Sequence, residues 1–167
     1  MESCWRSRTL RVARWGVFSA LSVIGSFFPF PSPVGTIAFD SFPGYLAALY
    51  FGALDGAIIC GVGHLATAIV HGFPLGFWHF PITLGMAAVG AIIGIVHKII
   101  SRSWGFAPAT AAGIVTNTAL FPLAVPVMGW LGALLLVPFL AVASTFNGIL
   151  AILIFIAIRR RKILVEG

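Results

Sequence analysis

Apolar residues fill most of this chain and polar ones are grouped between them, so the alternation of the two kinds of stretch predicts the elements. After a basic opening, the run from about Trp15 to Phe30 reads as a first helix, ended by Pro29, Pro31 and Pro33, which cannot continue one. The segment SPVGTIAFDSFPG follows as a loop whose β-branched and aromatic residues surround a single acid, and it is expected to fold back over the bundle. Two short helices are expected at 44–54 and 56–72, joined by a tight turn at Asp55. The loop GFPLGFW, a fourth helix at 79–97, a fifth at 107–125, the loop PVMGW and a sixth at 131–158 complete a single domain. That last stretch exceeds the roughly 20 residues that cross a bilayer, so Pro138 is expected to mark an irregular or tilted turn.

Charge turns this succession into a topology. The ten basic residues lie in three clusters: Arg6, Arg8, Arg11 and Arg14; Lys98 and Arg102; and Arg159, Arg160, Arg161 and Lys162. Lys and Arg beside membrane spans are retained on the cytoplasmic side, so an even number of crossings separates each pair of clusters. The 83 residues between Arg14 and Lys98 hold four short spans, and the 56 between Arg102 and Arg159 hold two. The expectation is an all-α six-helix membrane bundle with both termini cytoplasmic; four helices with a long re-entrant outer segment is the alternative. Asp40, Trp78 and Met128 then face outside, and Asp55 and Arg102 inside.

Composition agrees with a membrane protein and narrows its function. With 60% hydrophobic and 8% charged residues, and a mean hydropathy of +1.08, the chain is no water-soluble domain, whose charged fraction is about a quarter. At 167 residues it has no room for a nucleotide-hydrolysing domain, and no Walker motif is present. The net charge of +6 sits beside span ends, where it anchors the protein to anionic inner-leaflet lipid and gives no reason to expect nucleic acid. Cys4 in the inner tail and Cys60 in an apolar stretch form no framework. The basic, apolar N-terminus lacks a small-residue cleavage site and reads as a retained helix. Small residues recur at Gly52 and Gly56, at Gly90 and Gly94, and in the series Gly56, Ala57, Gly61, Gly63, Ala66, Ala68 and Gly72, which makes the third helix central.

Polar side chains within the apolar stretches are costly and mark candidate chemistry. His71 ends the third helix on the outside, and His64, seven residues deeper on the same face, lies about 10 Å inside, with Thr67 between them. Asp40 occupies the first outer loop, Trp78 and His79 open the fourth helix, Asn117 lies in the outer half of the fifth, and Asn147 lies deeper on the sixth. Each has a structural alternative: a helix cap for Asp40, a core histidine for His64, interfacial anchors for His71 and His79, interhelical bonds for the asparagines. Their joint position in the outer half favours a pocket, with Phe39, Phe42, Tyr45, Phe73, Phe77, Trp78 and Trp130 around it or forming an interfacial belt. One acid, imidazoles, amides and aromatics suit a flat, largely uncharged ligand with hydroxyl groups. They do not suit a metal: His64 and His71 are two turns apart, and no second carboxylate is near. No nucleophile motif, paired acids or intramembrane acid chain points to an enzyme or a proton pathway, and no cofactor is implied.

In size, six short spans, inside termini and an outer first loop, the chain resembles an S component of the energy-coupling factor (ECF) transporters, bacterial inner-membrane proteins that capture vitamins and their precursors. The resemblance implies a small-molecule substrate held under the loops SPVGTIAFDSFPGY, HGFPLGFWH and PVMGW, with a transmembrane coupling subunit and ATPase subunits as partners. Family members dock through an Ala-x-x-x-Ala pattern on the first helix, for which this chain offers Gly16 and Ala20. The strings GTIAFDSFPGY, GHLATA and HGFPLG resemble S components assigned to α-ribazole, a nucleoside-like precursor used in cobalamin salvage. That resemblance implies aromatic stacking on a benzimidazole and bonds from Asp40, His64, His71 and Asn117 to ribose hydroxyls or the free ring nitrogen. A membrane scaffold and an autonomous facilitator are the competing functions; ligand binding and ATPase dependence separate them.

Overall fold

The computed structural model describes residues 2–33, 35–100 and 103–166, with side chains placed between 8 and 160; Arg102 lies outside the described residues, as do the side chains of Cys4, Arg6, Arg161 and Lys162. The described chain is helical: α1 (Glu2–Ser26), α2 (Phe42–Phe51), α3 (Ala53–Val70), α4 (His79–Ile99), α5 (Phe106–Thr118) and α6 (Val125–Glu166), with single 3₁₀ turns at Gly76–Trp78 and Phe121–Ala124. The stretches Ala53–Val70, Gly76–Ile99 and Phe106–Arg160, the last spanning α5 and α6, are long and apolar enough to cross a membrane. At about 1.5 Å per residue, the ten residues of α2 cover only about 15 Å, half of a hydrocarbon core.

The loop before α2 is itself buried and leads into this helix from within the bundle. Phe30 N–H donates to Ile37 O at 2.7 Å and Phe39 N–H to Phe28 O at 3.3 Å, closing an antiparallel pair around a single bridge between Pro29 and Ala38. Thr36, Ile37, Ala38, Asp40 and Ser41 are buried, and α2 continues from them as a helix buried from Pro43 to Leu49. A helix apolar on every side belongs in a core. The Asn147 side chain of α6 anchors this descent: its Oδ1 accepts Phe42 N–H at 2.8 Å, and its Nδ2 donates to Ala38 O at 3.0 Å and Ala143 O at 2.9 Å.

Glycines set how closely the elements pack. A methyl group on Gly25 of α1 would overlap the Phe39 carbonyl, so the loop lies directly on α1 there. Gly56 and Gly90 meet backbone to backbone, and Gly94 lies against the Gly52–Ala53 peptide, which brings the two glycine pairs of α3 and α4 into one contact. α3 has its largest contact with α4 and also packs on α1 and α2, the central place its small residues foretell.

Several boundaries differ from those expected. α1 ends at Ser26, short of the prolines, because the chain turns there to form the Phe28–Phe30 arm of the bridged loop. The α2–α3 turn is Gly52, whose φ of 97° only glycine adopts readily; Asp55 already lies in the first turn of α3. The fifth helix stops at Thr118 and continues as a 3₁₀ turn. The sixth is interrupted at Gly129 (φ 70°, ψ 172°), and the helix runs unbroken through Pro138.

One end of the bundle gathers Arg11, Arg14, Lys98 and Arg159. Arg11 and Lys98 line a common recess with Asp55. Arg14 pairs with Asp55 at 3.4 Å and lies 4.3 Å over the Phe51 ring, Trp15 Nε1–H donates to Asp55 at 3.2 Å, and Arg159 donates to Ser103 O at 3.0 Å. Replacing Asn147 with Ala would strand Phe42 N–H and Ala38 O in the interior. At about 1–3 kcal/mol for each unsatisfied group, a loss of about 2–6 kcal/mol is expected, read as a lower midpoint in denaturation of the detergent-solubilised protein. Asn147→Asp, which keeps the acceptor but neither donation, is expected to be nearly as damaging.

Candidate functional site

Directly beneath the bridged loop, between α3, α4, α5 and α6, lies a cavity of about 70 Å³. Its walls are mostly apolar, from Ile82 and Met86 of α4 through Leu120 and Phe121 to Leu136 and Leu140 of α6. Seven polar residues interrupt them: Thr36, Asp40, Ser41, His64, Asn117, Ser144 and Asn147. This is the usual composition of a site for an organic ligand, apolar walls with a few placed polar groups.

Asp40 is held from two sides. Ser41 Oγ donates to its Oδ1 at 3.0 Å, and Thr67 Oγ1 lies 2.6 Å from its Oδ2. Thr67 Oγ1 is also 3.1 Å from Gly63 O, so the contact serves either protonation state. An ionised Asp40 receives the single Thr67 hydrogen. A protonated Asp40 donates to Thr67, which then turns its hydrogen to Gly63.

His64, 9% exposed, reaches the cavity from α3. Its Nε2 is 3.3 Å from Nδ1 of His79, which is fully buried at the start of α4, and His79 Nε2 accepts Leu75 N–H at 3.2 Å. Asn117 Nδ2 donates to the Tyr45 hydroxyl at 3.4 Å, which leaves its Oδ1 as an acceptor without a partner among the described residues.

Of the residues singled out from the sequence, Asp40, His64, Asn117 and Asn147 therefore line the cavity, and all capacity of Asn147 is spent on backbone. Thr67 and His79 stand behind the wall, each bonded to a residue that forms it. His71 is half-buried off the cavity, its Nδ1 2.9 Å from Thr67 O. Phe39 packs on Phe30 with ring centroids 4.5 Å apart, and Phe30 is 5.8 Å from Phe146 of α6. Trp78 packs outside the cavity against the cluster of Leu75, Ala124, Ala133 and Leu136. Sequence reasoning missed Thr36, Ser41 and Ser144, whose residue types carry no signal in an apolar helix or loop, and the apolar face of α6. Among the described residues no three His, Cys, Asp or Glu side chains converge in a way that would hold a metal ion.

Comparison with known proteins gives one family match and nothing beside it. The comparisons with curated proteins and with solved structures return no match. The model of the family described as the ECF transporter, substrate-specific component, matches residues 10–159, which takes in the whole cavity, the bridged loop and the recess at the basic end. Proteins of that family are membrane subunits that bind small substrates and work with ECF membrane and ATPase modules. With an all-helical described fold, three stretches able to cross a membrane and a match over most of its length, this chain belongs to the substrate-specific component family of the ECF transporters.

Proposed function

We propose that this chain captures α-ribazole, or a closely related nucleoside-like vitamin precursor, at the outer face of a bacterial cytoplasmic membrane, and hands it to an ATPase-driven module for uptake. The observation that carries this reading is the cavity under the bridged loop, where Asp40, His64 and Asn117 converge on otherwise apolar walls. Apolar surface suits a benzimidazole, and the acid and amide oxygens suit ribose hydroxyls. In this reading Asp40, His64 and Asn117 touch the ligand, Asn147 lines the cavity while holding the loop, and Phe39, Thr67, His71, Trp78 and His79 shape the site from behind.

The accompanying topology is six spans with both termini cytoplasmic. It is supported by the common end shared by Arg11, Arg14, Lys98 and Arg159, since basic residues gathered at one end belong on the inner side. The docking face for the coupling subunit is the exposed side of α1 at Gly16 and Ala20. A side chain added at Gly16 meets nothing within 4 Å in this chain, which leaves the position open to a partner helix.

Calorimetry of the purified protein with α-ribazole tests the ligand. Asp40→Ala and His64→Ala are each expected to weaken binding about five- to 150-fold, from about 1–3 kcal/mol per lost buried contact, with His71→Ala costing less and melting temperature as the folding control. Parent-like binding by both Asp40→Ala and His64→Ala would move the site elsewhere. For the topology, in a background without Cys4 and Cys60, single cysteines at the exposed positions Phe77 and Trp130 are expected to react with an impermeant reagent from outside. Cysteines at Leu54 and Ser103 are expected to react only after permeabilisation; outside labelling at position 103 would overturn the six-span arrangement. Gly16→Leu and Ala20→Leu are each expected to impair ATPase-driven uptake while leaving calorimetric binding at the parent value.

A further inference from the structure

The hydrogen-bond chain behind the cavity has a direction. Leu75 N–H can only donate, so His79 Nε2, 3.2 Å away, must be the acceptor and carries no proton. A neutral imidazole keeps one N–H, which for His79 is then Nδ1–H. That group faces His64 Nε2 at 3.3 Å, and only an unprotonated His64 Nε2 can receive it. The remaining proton of His64 is therefore on Nδ1. Among the described residues this nitrogen has no hydrogen-bond partner, yet it is absent from the buried unpaired atoms, and its side chain forms part of the cavity wall. A backbone amide thus sets the tautomer of His79, and His79 sets that of His64.

We propose that His79 is a positioning residue that fixes His64 as the Nδ1–H tautomer, so that the site offers the ligand a hydrogen-bond donor here and demands an acceptor in return. The proposal deepens the reading of this cavity as a substrate site. The neighbouring polar groups have the opposite character: Asn117 Oδ1 is an open acceptor, and an ionised Asp40 accepts only. The substrate class that matches is a heteroaromatic glycoside with one unprotonated ring nitrogen toward His64 and hydroxyl donors toward Asp40 and Asn117. A ligand with an N–H or an ammonium group at the first position would leave two donors face to face and is rejected.

Two measurements test this. With the four histidines 15N-labelled in nanodiscs, His64 and His79 are both expected to show a protonated, pyrrole-type Nδ1 and a pyridine-type Nε2, each assigned by its single His→Gln variant. His79→Leu is expected to remove the Nδ1–H signature from His64 and weaken α-ribazole binding about five-fold or more, although residue 79 does not face the cavity. Amide variants separate the two ring positions. His64→Asn places its NH₂ where Nδ1 stands and is expected to stay within about three-fold of the parent, whereas His64→Gln places it at the Nε2 position and is expected to lose about ten-fold or more. The riboside in which the free benzimidazole nitrogen is replaced by C–H is expected to bind the parent about ten-fold or more weakly.

An Nε2–H resonance for His64, or equal binding by His64→Asn and His64→Gln, would overturn the relay. If both histidines show Nδ1–H but the parent takes no α-ribazole, the relay stands and the ligand assignment fails. If α-ribazole binds while His64 is the Nε2–H tautomer, the ligand assignment stands and the relay fails.

Discussion

A chain that leaves helical geometry within a membrane bundle must find protein partners for the backbone groups it frees, because no water is available to take them. Here the segment from Thr36 to Ser41 does so, and this end of the bundle is arranged around it. Asn147 takes up Ala38 O and Phe42 N–H, the pairing with Phe28 and Phe30 takes up Phe39 N–H and Ile37 O, and Thr67 binds the one acid of the segment. Gly25 is bare because the segment passes against it, and Gly63 because Ser22 of α1 and the segment both do: a methyl there would stand 2.9 Å from Ser22 Cβ and 3.0 Å from Asp40 O. α2 is short for the same reason, since the segment has already covered part of its path.

The site follows from this burial. A loop resting on the bundle surface would bring Asp40 to water; one wedged between α1, α3 and α6 carries it to the top of a cavity whose floor is made by α4, α5 and α6. Within that enclosure a polar atom is either satisfied by protein or presented to a ligand. Asn147 falls wholly into the first group, while Asn117 and His64 each have one side satisfied and one side open.

Much of the helix order was legible in the sequence because long apolar stretches and their proline and glycine ends are local signals. The centrality of α3 is legible in its small residues, and the nearness of Asp40, His64 and Asn117 to one another in their place along the stretches. What escaped is what one stretch does to another. His64 was grouped with His71 because seven residues return a helix to the same face, yet its partner is His79 on the neighbouring helix. The glycine pairs hold that answer in part: with Gly56 against Gly90, an antiparallel pair brings the residues two turns above Gly56 opposite the first turns of α4. Proline was weighed as the breaker of α6, but Gly129, with a positive φ that Pro138 does not require, carries the break. Asn147 resembled any interhelical amide, and only the descent of the loop reveals which backbone atoms it serves.

The Asn147 contact engages only main-chain atoms of the loop, the carbonyl of residue 38 and the amide of residue 42. The identities of the side chains between them are therefore not written into the anchor. In the proposed reading, a scaffold of this kind separates the requirement for folding from the requirement for selectivity: side chains at 40 and 41, which line the cavity, can be exchanged while the same amide holds the loop in place. Diversification of what is recognised would then need changes at few positions, and those positions lie on the loop wall of the cavity.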